Sequence, residues 1–440
     1  MSFRASVMLV VGEVCSSTPT GLSLISLCVP ANLPGTRMDG DVEIRRRTIY
    51  SGGLYIKDVP RPNRTAVTDR FRSLSHLATL LIIAIVAPTL WALSSSIDAR
   101  EVPAREIPAE RQVQLQLTEQ ESGTQVLLQA ISPVDDTVVW VSGHGGTFLR
   151  TINGGRNWSA RVVPGADTLQ FRDVDAFDAN TAYLLSSGPG TLSRIYRTDD
   201  GGDSWDLQFM NEHPDGFLDC MAFWDSRRGV VYGDAIDGEL FVLRTEDGGA
   251  SWARVPAGGL PPAQEGEGGF AASGSCVTTG SRGRAWIATG NAARARVLLT
   301  EDEGRTWRSI LVDVASGPAA GLTTIDVLDD VRGIALGGIL GEDTTHVDNV
   351  TLSSDGGRTW ILGGRPDMAG PVYGSAWVPG ADTPTVLAVG PAGADYSLDG
   401  GLTWRAAARV TYWAVAFVSP DGGWAVGPGG RITRLAFIDE

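Results

Sequence analysis

An eight-residue phrase that recurs six times constrains this chain more than any other feature. Thr151-Ile-Asn-Gly-Gly-Arg-Asn-Trp158 returns as Thr198-Asp-Asp-Gly-Gly-Asp-Ser-Trp205 and Thr245-Glu-Asp-Gly-Gly-Ala-Ser-Trp252. It returns again as Thr300-Glu-Asp-Glu-Gly-Arg-Thr-Trp307, Ser353-Ser-Asp-Gly-Gly-Arg-Thr-Trp360 and Ser397-Leu-Asp-Gly-Gly-Leu-Thr-Trp404. The tryptophans stand 47, 47, 55, 53 and 44 residues apart. Self-similarity at such a period marks a repeat fold, and a unit of this size holds the short strands of one propeller blade.

The interior of each unit agrees. An early apolar strand (Gln125–Ile131, Phe217–Phe223) precedes a second that ends in small residues (Thr137–Gly143, Gly229–Gly233). A third runs into the motif (Thr147–Thr151, Leu240–Arg244), and a fourth is expected to begin at the Trp. β-Branched residues and period-two alternation support strands throughout. Glycine, at 55 of 440 residues, far exceeds its usual share of about 7%, as many tight turns require. Six motifs leave material at both ends. Trp413–Phe417, Gly423–Gly427 and Arg431–Leu435 supply three strands without a fourth, and Arg111–Thr118 is a lone alternating strand upstream. Together they predict a seventh blade closed by the N-terminal strand, which removes the free sheet edge. The expected fold is therefore all-β, a seven-bladed β-propeller over residues 112–437.

The motif chemistry suits a turn between third and fourth strands. An Asp side chain accepts hydrogen bonds from turn amides, and glycine takes positive φ without steric cost. The hydroxyl at the seventh position pairs with the Asp, and the Trp packs between sheets, burying about 200 Å². Asn153, Asp200, Asp247, Asp302, Asp355 and Asp399, with Trp158, Trp205, Trp252, Trp307, Trp360 and Trp404, thus read as structural rather than catalytic or calcium-binding. At these motifs the chain resembles the Asp-box (BNR) propellers. Within them it is most similar to the photosystem II assembly and stability factor family and its relatives outside photosynthesis. The Gly-Gly form of the box and the phrases Val389-Gly-Pro-Ala-Gly393 and Ala425-Val-Gly-Pro-Gly-Gly430 carry that likeness. The resemblance implies an exported, non-enzymatic domain without cofactor that assists assembly of a membrane protein complex. The box identifies a fold more strongly than a function.

The N-terminal quarter reads differently. Leu77–Leu93 contains no charge, is preceded by Arg61, Arg64, Arg70 and Arg72, and is followed at a distance by Asp98, Arg100 and Glu101. That asymmetry predicts a transmembrane or signal-anchor helix over 74–95, with the later residues outside the cytoplasm: periplasmic if anchored, secreted if the helix is cleaved. A tail, 1–73, in which Met38 is an alternative start, and a linker, 96–111, flank it. The net charge is −15, yet residues 1–75 hold ten basic and six acidic groups, so the remainder is near −19. Such a surface disfavours a nucleic-acid partner. Cys220 and Cys276 occupy comparable places in consecutive repeats, which allows either a disulfide in an exported domain or two buried thiols.

Sialidases share the box, but they require three arginines, a Tyr–Glu pair and an Asp; the spacing of Arg172, Arg294 and Arg296 supports no such set, and Tyr373 has no assigned place. The function expected is a protein-binding assembly or stability factor; the alternatives are a permanent scaffold subunit of such a complex or a sialidase-like glycoside hydrolase. Candidate binding residues lie where inner strands and loops meet the channel: Arg172, Asp173 and Asp175 near one rim, with Asp219 in the comparable place of the next repeat. His144, Asp234 and Asp237 sit on loops between second and third strands, and His346 on an insertion that overhangs the same face. A mixed ring of this kind suits a peptide terminus or a basic loop. With His76 and His213 the only other histidines, no metal site is expected.

Overall fold

The computed structural model describes residues 113–439. The helix, tail and linker expected before them lie outside the described residues. Among the described residues no helix is long and apolar enough to cross a membrane.

Seven antiparallel four-stranded sheets make up the described residues. Six contain strands in sequence order. The seventh combines Ala414–Ser419, Gly422–Val426 and Ile432–Asp439 with Val113–Gln120 as its outermost strand. That N-terminal strand pairs with the last one along its whole length, from Val113 opposite Asp439 to Gln120 opposite Ile432. The inner strands touch in cyclic order, and that of the seventh blade returns to that of the first. The ring is a closed seven-bladed propeller. Alternation in the closing strand explains its place: Val113, Leu115 and Leu117 pack toward Leu387 and Val389 of the sixth blade, whereas Gln114 and Gln116 are exposed.

The core lies between blades. Trp286 of blade 4 is fully buried among Tyr232 and Val242 of blade 3 and Leu322 and Ile325 of blade 5. Second strands such as Val139–Gly143 and Val386–Gly390 are buried at every position, as strands covered on both faces must be. The first inner strand, Leu128–Pro133, starts later than the sequence pattern indicates, and a bulge falls within it between Leu128 and Ala130.

The motifs form turns at the outer part of the face opposite the inner-strand starts. In the third blade, Thr245 Oγ1 accepts the Gly249 amide at 2.8 Å and donates to Asp247 Oδ1 at 2.9 Å. Asp247 Oδ1 also accepts the Ser251 amide at 2.9 Å, and Oδ2 accepts the Ser251 hydroxyl at 2.6 Å. The same set recurs around Asp200, Asp302, Asp355 and Asp399. In the first copy Asn153 Oδ1 keeps the Thr151 and Asn157 bonds, both at 3.0 Å. Gly248 and Gly249 take φ of +73° and +80°, the left-handed region that the turn demands. Each fourth strand begins one residue after the Trp rather than at it (Ser159, Asp206, Ala253, Arg308, Ile361, Arg405). Two indoles turn back over their own turns, Trp307 and Trp360 donating to the carbonyls of Gly304 and Gly357 at 3.0 Å, whereas Trp158 donates to Gln120 Oε1 at 3.1 Å and Trp404 to the Gly364 carbonyl at 2.8 Å.

Candidate functional site: the channel mouth

The face on which inner strands begin opens into a cavity of 380 Å³ lined by residues of blades 2 to 7. Arg172, second residue of the blade 2 inner strand, stands on one side. Its Nε and one terminal nitrogen donate to Gln170 Oε1 at 3.2 and 2.5 Å, and the other reaches the Ala271 carbonyl at 3.4 Å. Among the described residues no carboxylate forms an ion pair with it. Burial lowers its pKa, and the charge of Asp219 opposes that effect. Asp219 and Asp234 of blade 3 line the same cavity. Burial pushes Asp219 well above the usual carboxylate range, and the charge of Asp234 adds to this; the Gly269 amide, donating to its Oδ2 at 3.1 Å, opposes both. Asp234 is pushed up to about 6, again by burial.

Aromatic surface faces these charges from the far side. Tyr373 and Trp413, just before the inner strands of blades 6 and 7, stack with centroids 4.6 Å apart and planes 33° apart, and both are half-buried. Burial, then the charge of Asp343, raises the Tyr373 hydroxyl to about 12, so it remains a neutral donor. Phe217, Phe270, Leu340 and Asn291 complete the wall. A guanidinium without a carboxylate partner, an aromatic ledge and two carboxylates make a pocket able to hold a short polar group beside a flat apolar one.

The remaining sequence candidates do not converge here. The sequence places Asp173 and Asp175 beside Arg172 on one rim, but they lie further along the inner strand and line, with Val174 between them, a second cavity of 460 Å³ toward the opposite face. There Asp173 Oδ2 accepts the Met221 amide at 2.6 Å, and Asp175 Oδ2 accepts the Phe223 amide at 3.0 Å, tying blade 2 to blade 3. Asp326 ties blade 5 to blade 6 likewise, accepting the Trp377 amide at 2.9 Å. His144 Nε2 lies 2.9 Å from Gln129 Oε1, and burial, then the charge of Arg172, lowers its pKa. Asp237 sits at a hairpin tip with its side chain 88% exposed, 3.9 Å from His213, and His346 is exposed; neither lines the mouth. Arg294 pairs with Asp313 at 3.0 Å on the surface and Arg296 with buried Glu267, so the arginines form no triad. Cys220 and Cys276 are joined by a disulfide with Cα atoms 5.8 Å apart. Among the described residues no group of three or more His, Cys, Asp or Glu is placed to hold a metal ion.

Sequence reasoning missed the element that separates the two cavities. Gly268–Ser275, from the lengthened connection into blade 4, runs through the channel; its signal was the interval of 55 residues between Trp252 and Trp307, filled by a glycine-rich run.

No family model and no curated protein matches this chain. Solved structures do. "YCF48 bound to D1 peptide" aligns at 17% identity and a TM-score of 0.51, over 73% of this chain and 94% of that one. YCF48 from Cyanidioschyzon merolae aligns at 16% and 0.52, over 73% of this chain and 98% of that one. The GH74 xyloglucanase from Xanthomonas campestris aligns at 16% and 0.51, over 74% of this chain and 55% of that one. At these identities the likeness is one of fold.

Proposed function

We propose that this chain is a non-catalytic, protein-binding propeller that takes up a peptide segment of a membrane protein complex at the channel mouth and acts as an assembly or stability factor. The observation that carries this reading is the mouth itself: Arg172, held by neutral groups, faces the half-exposed Tyr373–Trp413 stack across a cavity of 380 Å³. Such a site offers one charge-assisted contact and one stacking surface, the usual anchors of peptide recognition. A similar fold with a D1 peptide bound gives precedent for the class. The uncharged run Leu77–Leu93 supports a tether that holds the domain outside the cytoplasm, and the Cys220–Cys276 bond fits an oxidising compartment.

Hydrolysis is the weaker reading. Asp219, 1% exposed and committed to the Gly269 amide, offers no free nucleophile, and Asp173 and Asp175 are likewise occupied by backbone donors. The test is capture of partners from detergent-solubilised native membranes with the full chain. Arg172→Ala and Trp413→Ala should each lose a partner that Asp237→Ala retains. Equal capture by all three would remove the mouth as the site. A partner held stoichiometrically in the mature complex would favour a permanent subunit, and turnover of sialosides or β-glucans an enzyme.

A further inference from the structure

Loops run over protein surfaces because water there satisfies their backbone. Gly268–Ser275 does the reverse: Phe270, Ala271, Ala272 and Ser273 are each less than a tenth exposed, in a segment of turns and one bridge. Side chains from around the ring hold it. The Gly269 amide donates to Asp219 of blade 3 at 3.1 Å, and the Ala271 carbonyl accepts from Gln129 of blade 1 at 3.0 Å. Ser273 Oγ donates to the Tyr373 carbonyl before blade 6 at 2.7 Å.

The two ends are fixed by different chemistry. Before the segment, fully buried Glu267 accepts two bonds from Arg296, each 2.5 Å long. After it, Cys276 is bonded to Cys220 of the blade 3 inner strand. Between these anchors Gly268, Gly269 and Gly274 give up more conformational freedom on ordering than any other residue type would, and Phe270 is the only large apolar group returned to the interior. Without the disulfide, the hydrogen bonds above, the Gly268–Gly290 bridge and Phe270 alone would have to offset the cost of ordering it.

We propose that Gly268–Ser275 is a latched strap: the Cys220–Cys276 bond keeps it across the channel, and without that bond the strap leaves while the blades stay assembled. With the strap closed the mouth is a blind cup. This deepens the function proposed above, on which it rests for its meaning: the partner offers a short projection, not a strand that threads the ring. Because both sulfurs are fully buried, the latch is set once, at oxidative folding, rather than cycled.

Hydrogen exchange on the full chain tests this without any partner. In the Cys220→Ser/Cys276→Ser variant, amides of Gly268–Ser275 should exchange at least about tenfold faster, while those of Val139–Gly143 and Val386–Gly390 keep their rates. Unchanged strap exchange would overturn the proposal, as would loss of protection in every blade alike, which would make the bond a staple of blades 3 and 4. A second variant leaves the bond intact. At Gly274, φ +74°, an added Cβ would meet Asp173 Oδ1 at 2.3 Å, so Gly274→Ala disturbs the strap directly. Exchange below that of the double-serine variant supports the latch; equal or faster exchange refutes it. Failure here leaves binding at the mouth standing, and failure of Arg172→Ala to affect capture leaves the strap standing.

Discussion

Replacing Asp175 with Asn should make the protein more stable at neutral pH and change it little in acid. Asp175 lies on the blade 2 inner strand, where burial pushes its carboxyl up to about 7, from an ordinary value of 3.8, against the opposing bonds from the Phe223 and Ala176 amides. The folded state therefore holds the proton more tightly than the unfolded state does. Stability is full below the unfolded value, falls as pH rises through the folded one, and is level above it. A shift of about three units corresponds to about 4 kcal/mol at most, at roughly 1.4 kcal/mol per unit. The side chain faces the 460 Å³ cavity and is not wholly shut from solvent, so water and relaxation should reduce this to about 1–3 kcal/mol. Asparagine keeps an oxygen for the Phe223 amide, now at 3.0 Å from the carboxylate, but carries no charge to desolvate. Urea unfolding of the full chain and its Asp175→Asn variant, from about pH 4.5 to about pH 8.5, reads the difference directly. The variant should gain about 1–3 kcal/mol on the wild type across that range, mostly between about pH 5 and 7. A difference independent of pH, or one that grows toward acid, would refute the reasoning.

Asp247→Ala removes the three hydrogen bonds of the blade 3 turn and should cost about 1–2 kcal/mol, read as a melting point lower by a few degrees with partner capture unchanged. Unchanged melting with lost capture would contradict a structural role. Asp200 has the opposite pH sign to Asp175: the Ser204 hydroxyl and amide, then Thr198, hold it down to about 2, so the stability it adds is lost as pH falls from 3.8 toward 2, and Asp200→Asn should flatten that acid limb in thermal melts. Leu115→Asp puts a charge against Leu387 and Val389 and should cost about 3 kcal/mol or more; release of the closing strand would bare the Ile432–Asp439 edge, which gel filtration would show as self-association.

The ring was legible because its determinants are local and repeated. One Thr-x-Asp-x-Gly-x-Ser-Trp phrase fixes a turn through bonds among its own residues, and six copies at blade spacing leave little freedom in how the strands between them pair. The closing strand was legible for a complementary reason: three C-terminal strands lacked a fourth, and Val113, Leu115 and Leu117 supply the alternation of a sheet edge. The mouth was only half legible. Arg172, Asp219 and Asp234 stand out as charges on inner strands and loops, but nothing local distinguishes Arg172, which faces the mouth, from Asp173, which faces the other cavity. Tyr373 and Trp413 are 40 residues apart and meet only because blades 6 and 7 are neighbours. The strap was illegible, since a glycine-rich insertion reads as a surface loop until the buried carbonyl of Ala271 is seen between Gln129 and Arg172.

The aspartates show why residue type alone could not assign roles. Those in the motif turns accept hydroxyl and amide donors at the rim; Asp200 is held at about 2 and stays charged. Those on inner strands accept an amide from the next blade in a drier setting; Asp326 is raised to about 6 and Asp175 to about 7. The first population stabilises turns within a blade through hydroxyl and amide donors, and the second stitches blades together through backbone amides. Asp234 differs in lining the mouth beside Arg172, with which no carboxylate among the described residues forms an ion pair. Its value of about 6 means that charge on the mouth changes just below neutrality, where a bound partner must match it. Binding at the mouth should therefore respond to pH in a range that leaves the motif turns untouched, and Asp234→Asn should remove that response. If the response survives the substitution, the carboxylate facing the partner lies elsewhere.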